Sequence, residues 1–265
     1  MDDLLDIASV ADYLGVSERT VYNKVRSGEL PAFKVGRLWR VRRRDLEAWI
    51  DLRQRGGTEP AVLRPVELRG ASVVVESSRL PSRTDLETVL SAFEDRVERR
   101  LAFVGVLSRA CTALGWPEPI VVGGHAVEFW TAGGYATADI DLVGATEPVA
   151  EVLSAWGFIR EGRHWYDEHL GLVVEVPGAR LSEDERAHVA TVQLAGFTAQ
   201  ILGLEDLVID RLNACVHWSD QESCMWAEAL LAIPFELDVE YLRRRAGEED
   251  VKERLEEALV EAGRS

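Results

Sequence analysis

The sequence predicts an α+β protein in two parts: a small N-terminal module, then a larger mixed α/β domain that closes with helices. Three observations predict it. Charge is unevenly divided: residues 1–60 carry 11 Lys/Arg and 10 Asp/Glu, a sum of +1, whereas residues 61–265 carry 19 and 36, a sum of −17. Apolar residues recur every three or four positions from Asp85 to Leu114 and again between Leu202 and Leu231, the helical period. Between those tracts lie runs of strand character, one ending at Gly123, one from Ala138 to Val143 and one from Leu170 to Gly178. The boundaries follow as 1–55 for the module, 56–84 for a linker and 85–265 for the larger domain.

In the module, Ser9 and Asp12 have the spacing of a capping-box start. Val10, Ala11 and Leu14 give one apolar face, and Gly15 ends the helix. Ser17 caps a second helix, Glu18 to Arg26, whose Val21 and Val25 face inward. Its outward side presents Arg19, Thr20, Tyr22, Asn23, Lys24 and Arg26. A Ser27-Gly28 turn and Pro31 lead to two short strands around Gly36, which carry Lys34, Arg37, Arg40 and Arg42. Asp45 then caps a third helix with Leu46, Trp49 and Ile50 inward; Trp39 and Trp49 are core residues. Residues 19–44 hold nine Lys/Arg and one acid, Glu29, a local charge of +8 suited to a phosphate backbone. The run GVSERTVYNKVRSGELPAFKVGRLWRVRRRDLEAWI closely resembles the excisionase-type, MerR-like winged helix-turn-helix family. The resemblance implies DNA binding, with the second helix in the major groove, Ser17 at its start, and the basic wing on the backbone.

The Gly/Pro/polar stretch Arg55–Pro60 suits a linker, and Ala71–Glu76 has strand character. Residues 85–114 form one long or two consecutive helices, which either pair with a second copy in a homodimer or pack within one chain. Gly123-Gly124 opens a helix from His125 to Trp130, whose N-terminal N–H groups suit a phosphate; His125 lies at that spot. Asp139 and Asp141 sit two apart in a strand and so face one side, with Ile140 and Leu142 toward the core. Paired carboxylates raise one another's pKa, and a hard divalent cation between them relieves that repulsion. Glu175 stands alone in an apolar strand, where a charge is costly unless paired or metal-bound. A helix follows at Pro148–Trp156, and His164 and His169 flank Trp165 and Tyr166 in a strand or hairpin with a surface role. Residues 202–231 read as two helices and 238–263 as a helical C-terminal cap.

The Gly-Gly turn, the Asp-x-Asp strand and the later in-strand acid resemble the nucleotidyltransferase superfamily that includes DNA polymerase beta, in its minimal bacterial members. The resemblance covers roughly residues 100–180. It implies that Asp139, Asp141 and Glu175 hold two Mg2+ ions, and that Gly123, Gly124, His125, Thr137 and Arg211 serve the nucleoside triphosphate. Tyr135 and Ala136 stand where many relatives carry an arginine before the Asp-x-Asp, a departure that bears on phosphate contacts and on competence. Relatives of this size often belong to toxin–antitoxin or defence modules, so the acceptor of a transferred nucleoside monophosphate would be an RNA, a protein such as a toxin, or a small molecule. The alternative is a catalytically silent regulator or antitoxin that uses the same fold as a binding platform.

Other classes recede. No apolar stretch approaches the roughly 18 residues that span a bilayer, and the acidic start MDDLLDIASV lacks signal-peptide regions, so no membrane partner and a cytoplasmic location are expected. Cys111, Cys215 and Cys224 are odd in number and widely spaced, which predicts inert thiols and no disulfide framework.

Overall fold

The computed structural model describes residues 4–26, 30–35, 38–43, 45–47, 49–50, 80–144, 146–176, 180–194 and 196–264; for residues 19, 23, 26 and 33–35 it describes the backbone alone. The Ser27-Gly28 turn, Gly36, Arg37, the linker Arg55–Pro60 and the expected strand Ala71–Glu76 lie outside the described residues.

The N-terminal part is a helix-strand unit with its own core of Val10, Ala11, Val21, Val25, Leu30, Ala32, Val41, Leu46 and Trp49, with Trp39 packed on its margin. Its first helix, Ile7–Leu14, is capped by Asp6, whose carboxylate accepts from the Ser9 N–H. Ser9 therefore lies inside the first turn, a correction to the expected Ser9/Asp12 start. Gly15 takes the left-handed conformation (φ 67°) that closes the helix. The second helix, Glu18–Arg26, begins as the sequence predicts, with Ser17 Oγ accepting from the Thr20 N–H at 3.1 Å. Strand β1 (Leu4–Leu5) adds an edge that sequence patterning does not reveal; it pairs with β3 (Leu38–Arg42), which also pairs with β2 (Phe33–Val35). Arg43 is already helical, so Asp45 lies within the third helix instead of capping it.

The larger part is built on a seven-stranded mixed sheet. Its strands are β4 (Ile120–Val122), β5 (Ile140–Val143), β6 (Ile159–Glu161), β7 (His164–Asp167), β8 (Leu172–Glu175), β9 (Ala190–Leu194) and β10 (Phe197–Ile201), in the order β6-β7-β8-β5-β4-β10-β9. β5 runs antiparallel to β4 and parallel to β8. The tract 85–114 resolves into two helices, Arg83–Ser91 with a Ser82/Asp85 capping box and Arg96–Ala113 capped by Asp95. The second is buried along most of its length in the chain's own core, which supports the packing reading of this tract. Gly105 allows that: a Cβ there would lie 2.6 Å from the Phe197 Cβ of β10. Helices Leu204–His217 and Gln221–Leu231 pack against each other, and Val239–Glu248 and Lys252–Glu261 follow them toward the end of the described residues.

Cys215 and Cys224 form a disulfide across that helix pair, with Cα atoms 4.8 Å apart. This corrects the expectation of three inert thiols. The nine-residue separation spans a helix reversal, which brings two cysteines together that linear spacing leaves unconnected. Cys111 is free and buried, and burial with the nearby Glu118 charge pushes its thiol up to about 12. Among the described residues no helix is long and apolar enough to cross a membrane.

Candidate nucleotide and metal site

The candidate site lies at one end of three adjacent strands. Val122 of β4 pairs with Asp141 of β5, and Asp141 pairs in turn with Glu175 of β8. Sheet register thus sets Asp141 beside Glu175. Ile140 and Leu142 are buried on the opposite side of β5, as the alternation predicts. Asp139 lies just before the strand.

The Gly-Gly turn is fitted to the first two acids. Gly123 has φ +56°, and a Cβ on it would fall 2.5 Å from Asp141 Oδ2. The Gly124 N–H donates to that same oxygen at 3.1 Å. A Cβ on Gly124 would meet Thr137 Oγ1 at 2.9 Å, and the Thr137 hydroxyl donates to Asp139 Oδ1 at 3.0 Å. Glycine is favoured at Gly123 by both its left-handed backbone and the close carboxylate, and at Gly124 by the close Thr137 hydroxyl.

The electrostatics are dominated by crowding of like charge. Burial, then Asp139 and Glu175, push the Asp141 carboxyl up to about 8, against the Gly124 N–H and Arg211, which lower it. By linkage, the folded protein holds a proton here that the unfolded chain releases, so this carboxyl destabilises the fold as pH rises from the ordinary carboxylate range toward 8. Glu175 is braced on both oxygens: Arg163 Nε at 2.9 Å on Oε1, and His164 Nε2 at 2.9 Å on Oε2. Oxygen or nitrogen donors of Asp139, His164 and Glu175 all lie within 4.8 Å of one another. The sequence reading gave His164 a surface role; the antiparallel register His164↔Glu175 is the signal that finds it.

Arg211, on Leu204–His217, has a largely buried side chain paired with Asp210 (Nε–Oδ2 3.1 Å) and interacts electrostatically with Tyr135 and Asp141. Tyr135 stacks edge-on against Trp226 at 5.1 Å, and burial pushes its hydroxyl up to about 12.

His125 departs from the expected position beside a phosphate. Its ring is fully buried, and Nδ1 meets Glu128 Oε2 at 3.0 Å, because positions three apart share a helix face. Burial lowers the His125 pKa, opposed by Glu128. Burial would raise the Glu128 carboxyl, but Arg100, His125 and Arg96 outweigh it and hold it at about 2. Arg100 donates to Glu128 at 2.8 Å and to the backbone carbonyls of Thr137 and Ala138. A buried arginine thus supports the Asp139 loop from beneath, out of a helix remote in sequence.

In the N-terminal part, Tyr22 is exposed on the second helix, while Lys24 is half-buried with its ammonium 5.8 Å from the Trp49 ring centre. Ser17 and Thr20 spend their hydroxyls on each other at 2.8 Å. Arg40 donates to the Trp39 carbonyl at 2.9 Å, and the Arg42 guanidinium packs over Gly171, where a Cβ would lie 2.5 Å from it. The side chains of Arg19, Asn23, Arg26 and Lys34 lie outside the described set.

Comparison with known proteins bears on this N-terminal part. A helix-turn-helix domain model matches residues 4–53. Two Mycobacterium tuberculosis proteins, from strains CDC 1551 / Oshkosh and ATCC 25618 / H37Rv, have names that propose DNA binding; each is 55% identical over 38 residues, 14% of this chain and 49% of the relative. The chain therefore spans about half the length of these curated relatives. No solved structure matches. Residues 4–53 carry a helix-turn-helix domain.

Proposed function

We propose that the chain is a DNA-binding protein carrying a Mg2+-dependent nucleotidyltransferase domain. The carrying observation is the register row that sets Asp141 beside Glu175, with Asp139 adjoining and Gly123-Gly124 closed against them. The donor set fits a divalent cation: three carboxylates crowd one site, burial and then the Asp139 and Glu175 charges raise Asp141, and oxygen donors suit Mg2+. Asp139, Asp141 and Glu175 would hold the metal. Bound Mg2+ would supply charge neutralisation on the triphosphate and activation of an acceptor hydroxyl.

The chain's own residues do the rest. Gly123 and Gly124 let the Asp141 carboxylate and the Thr137 hydroxyl close against the turn, and the helix N-terminus that follows offers its positive end to the phosphates. Thr137 fixes the Asp139 carboxylate by its hydroxyl. Arg211 places positive charge on the Asp141 side of the site, where the α-phosphate gains negative charge. The acceptor oxygen attacks the α-phosphorus in line, the bond to pyrophosphate breaks, and pyrophosphate departs with that bond's electrons. The acceptor proton passes to a carboxylate, Asp141 or Glu175.

DNA binding rests on the helix-turn-helix match, the names of the two mycobacterial relatives and the +8 segment at residues 19–44. Its affinity should fall steeply with salt. Lys24→Ala or Arg40→Ala should weaken it, and Asp139→Asn should not.

The transferase is tested by label transfer from each α-labelled nucleoside triphosphate onto lysate, bulk tRNA and the chain itself, with Asp139→Asn/Asp141→Asn as control. Label that depends on both aspartates supports the reading. A second reading, a silent regulator of the toxin–antitoxin or defence type, is favoured by the engagement of both Glu175 oxygens by Arg163 and His164. Absence of both label and nucleotide binding would decide for it.

A further inference from the structure

We infer that His164 is a nitrogen ligand of the metal centre, so that the site takes a first-row divalent transition ion in preference to Mg2+. The inference rests on the metal-binding part of the proposed function; it replaces Mg2+ as the preferred ion and adds a fourth ligand.

The argument starts from the hairpin. β7 and β8 are antiparallel, and His164 and Glu175 are direct cross-strand partners, so their side chains leave the sheet on the same face. That face is the one on which Glu175 stands beside Asp141. His164 Nε2 and Glu175 Oε2 are 2.9 Å apart, and the Asp139 donor completes a group whose members all lie within 4.8 Å. In a six-coordinate shell with bonds of about 2.1 Å, adjacent donors lie about 3 Å apart. The His164–Glu175 spacing, that of a hydrogen bond, matches one shell edge, so a bound ion would replace the shared proton without moving either atom far. Arg163 holds the other Glu175 oxygen at 2.9 Å, which leaves Oε2 as the oxygen directed toward His164.

Ligand chemistry then sets the preference. Magnesium keeps oxygen ligands and near-ideal octahedral geometry, whereas imidazole suits first-row transition ions. A site of carboxylates alone would favour neither strongly. One that adds an imidazole discriminates.

The test uses the full chain with Mn2+ as the spectroscopic probe. Free Mn2+ is followed by electron paramagnetic resonance during titration, with Mg2+ as competitor, and the bound ion is examined by pulsed methods for coupling to nitrogen. The expected result is tighter binding of Mn2+ than of Mg2+, with a nitrogen coupling in the bound state. His164→Gln keeps a side chain able to hydrogen-bond Glu175 but offers no imidazole nitrogen. It should lose the coupling and weaken Mn2+ by at least about tenfold, while Mg2+ binding changes little. Bound Mn2+ without nitrogen coupling, or unchanged affinity in His164→Gln, overturns the ligand assignment and leaves the metal site standing. Failure of the wild-type chain to bind either ion overturns both. Nitrogen-coupled Mn2+ in a chain that transfers no label upholds the ligand and removes the transferase.

Discussion

Arg100 reaches from the helix Arg96–Ala113 to donate to the carbonyl of Thr137 at 3.1 Å and to that of Ala138 at 3.0 Å, the two residues that lead into Asp139. The same guanidinium holds the buried Glu128. One side chain thus joins the core helix, the helix after the Gly-Gly turn and the loop that delivers the first acid. Arg100→Met should leave Glu128 a buried charge short of its main partner and strand two carbonyls. The expected loss is about 3–5 kcal/mol of stability, measured by denaturant unfolding. A loss under 1 kcal/mol would show that Arg96 carries the cluster alone.

Gly123→Ala places a methyl where Asp141 Oδ2 now sits and strains a backbone at φ +56°. It should cost about 1–3 kcal/mol and lower divalent-cation affinity. Part of that cost disappears once the carboxylate is removed. In an Asp141→Ala background the same change should therefore cost less, and a double-mutant cycle measures the coupling. Strict additivity would mean that the turn relaxes without pressing on the acid.

Acid should unfold this protein through the Glu128 cluster. The folded Glu128 pKa, at about 2, lies below its ordinary 4.5, so its contribution is present above 4.5 and is lost as pH falls from there to about 2. His125 acts in the same direction: burial lowers its folded pKa below 6.5, so the unfolded chain binds a proton that the folded one resists, and stability declines as pH drops below 6.5. Below about pH 4, where Asp141 is protonated in both the folded and unfolded chain and adds no slope, urea midpoints should fall as pH drops toward 2. Glu128→Gln should be less stable at neutral pH and show a flatter acid limb between 4.5 and 2.

Thiol titration separates the three cysteines. The oxidised native chain should present no rapidly reactive thiol, since Cys111 is buried and the other two are bridged. Denaturation should expose one thiol, and reduction three. Reduction should also lower stability by about 2–3 kcal/mol, the loop-closure contribution of so short a crosslink. Three thiols on denaturation without reductant would count against the bridge.

Much of this site was legible in the sequence, because its parts are local. The Gly-Gly turn, the Asp-x-Asp spacing and an acid in an apolar run follow from chain periodicity, and the structure does bring Asp139, Asp141 and Glu175 together. The helix-turn-helix elements were also readable from apolar spacing, the Gly15 stop and the Ser17 cap, but not from Ser9 or Asp45, which lie inside their helices. What escaped depends on pairing between distant segments. His164 joins the acids only through the β7–β8 register, and Arg100 reaches the Asp139 loop only once the sheet has packed on its helix. His125 looked like a phosphate contact by position alone; the buried Glu128 three residues on turned it inward. The β9–β10 hairpin and the Cys215–Cys224 bridge are likewise products of chain reversals that linear spacing does not report.

The pairing of Asp141 with Glu175 has a consequence for how such a chain can change. Neighbouring strands are held about 4.8 Å apart by their backbone hydrogen bonds, so the sheet, and not the intervening segment, sets the separation of these two acids. The polypeptide between them, with its helix and its hairpin, can lengthen or shorten without moving either carboxylate, provided β5 and β8 keep their register. A single-residue slip of β8 would instead carry Glu175 to the other face of the sheet. Insertions in this region should therefore be tolerated in the loops and punished in the strands.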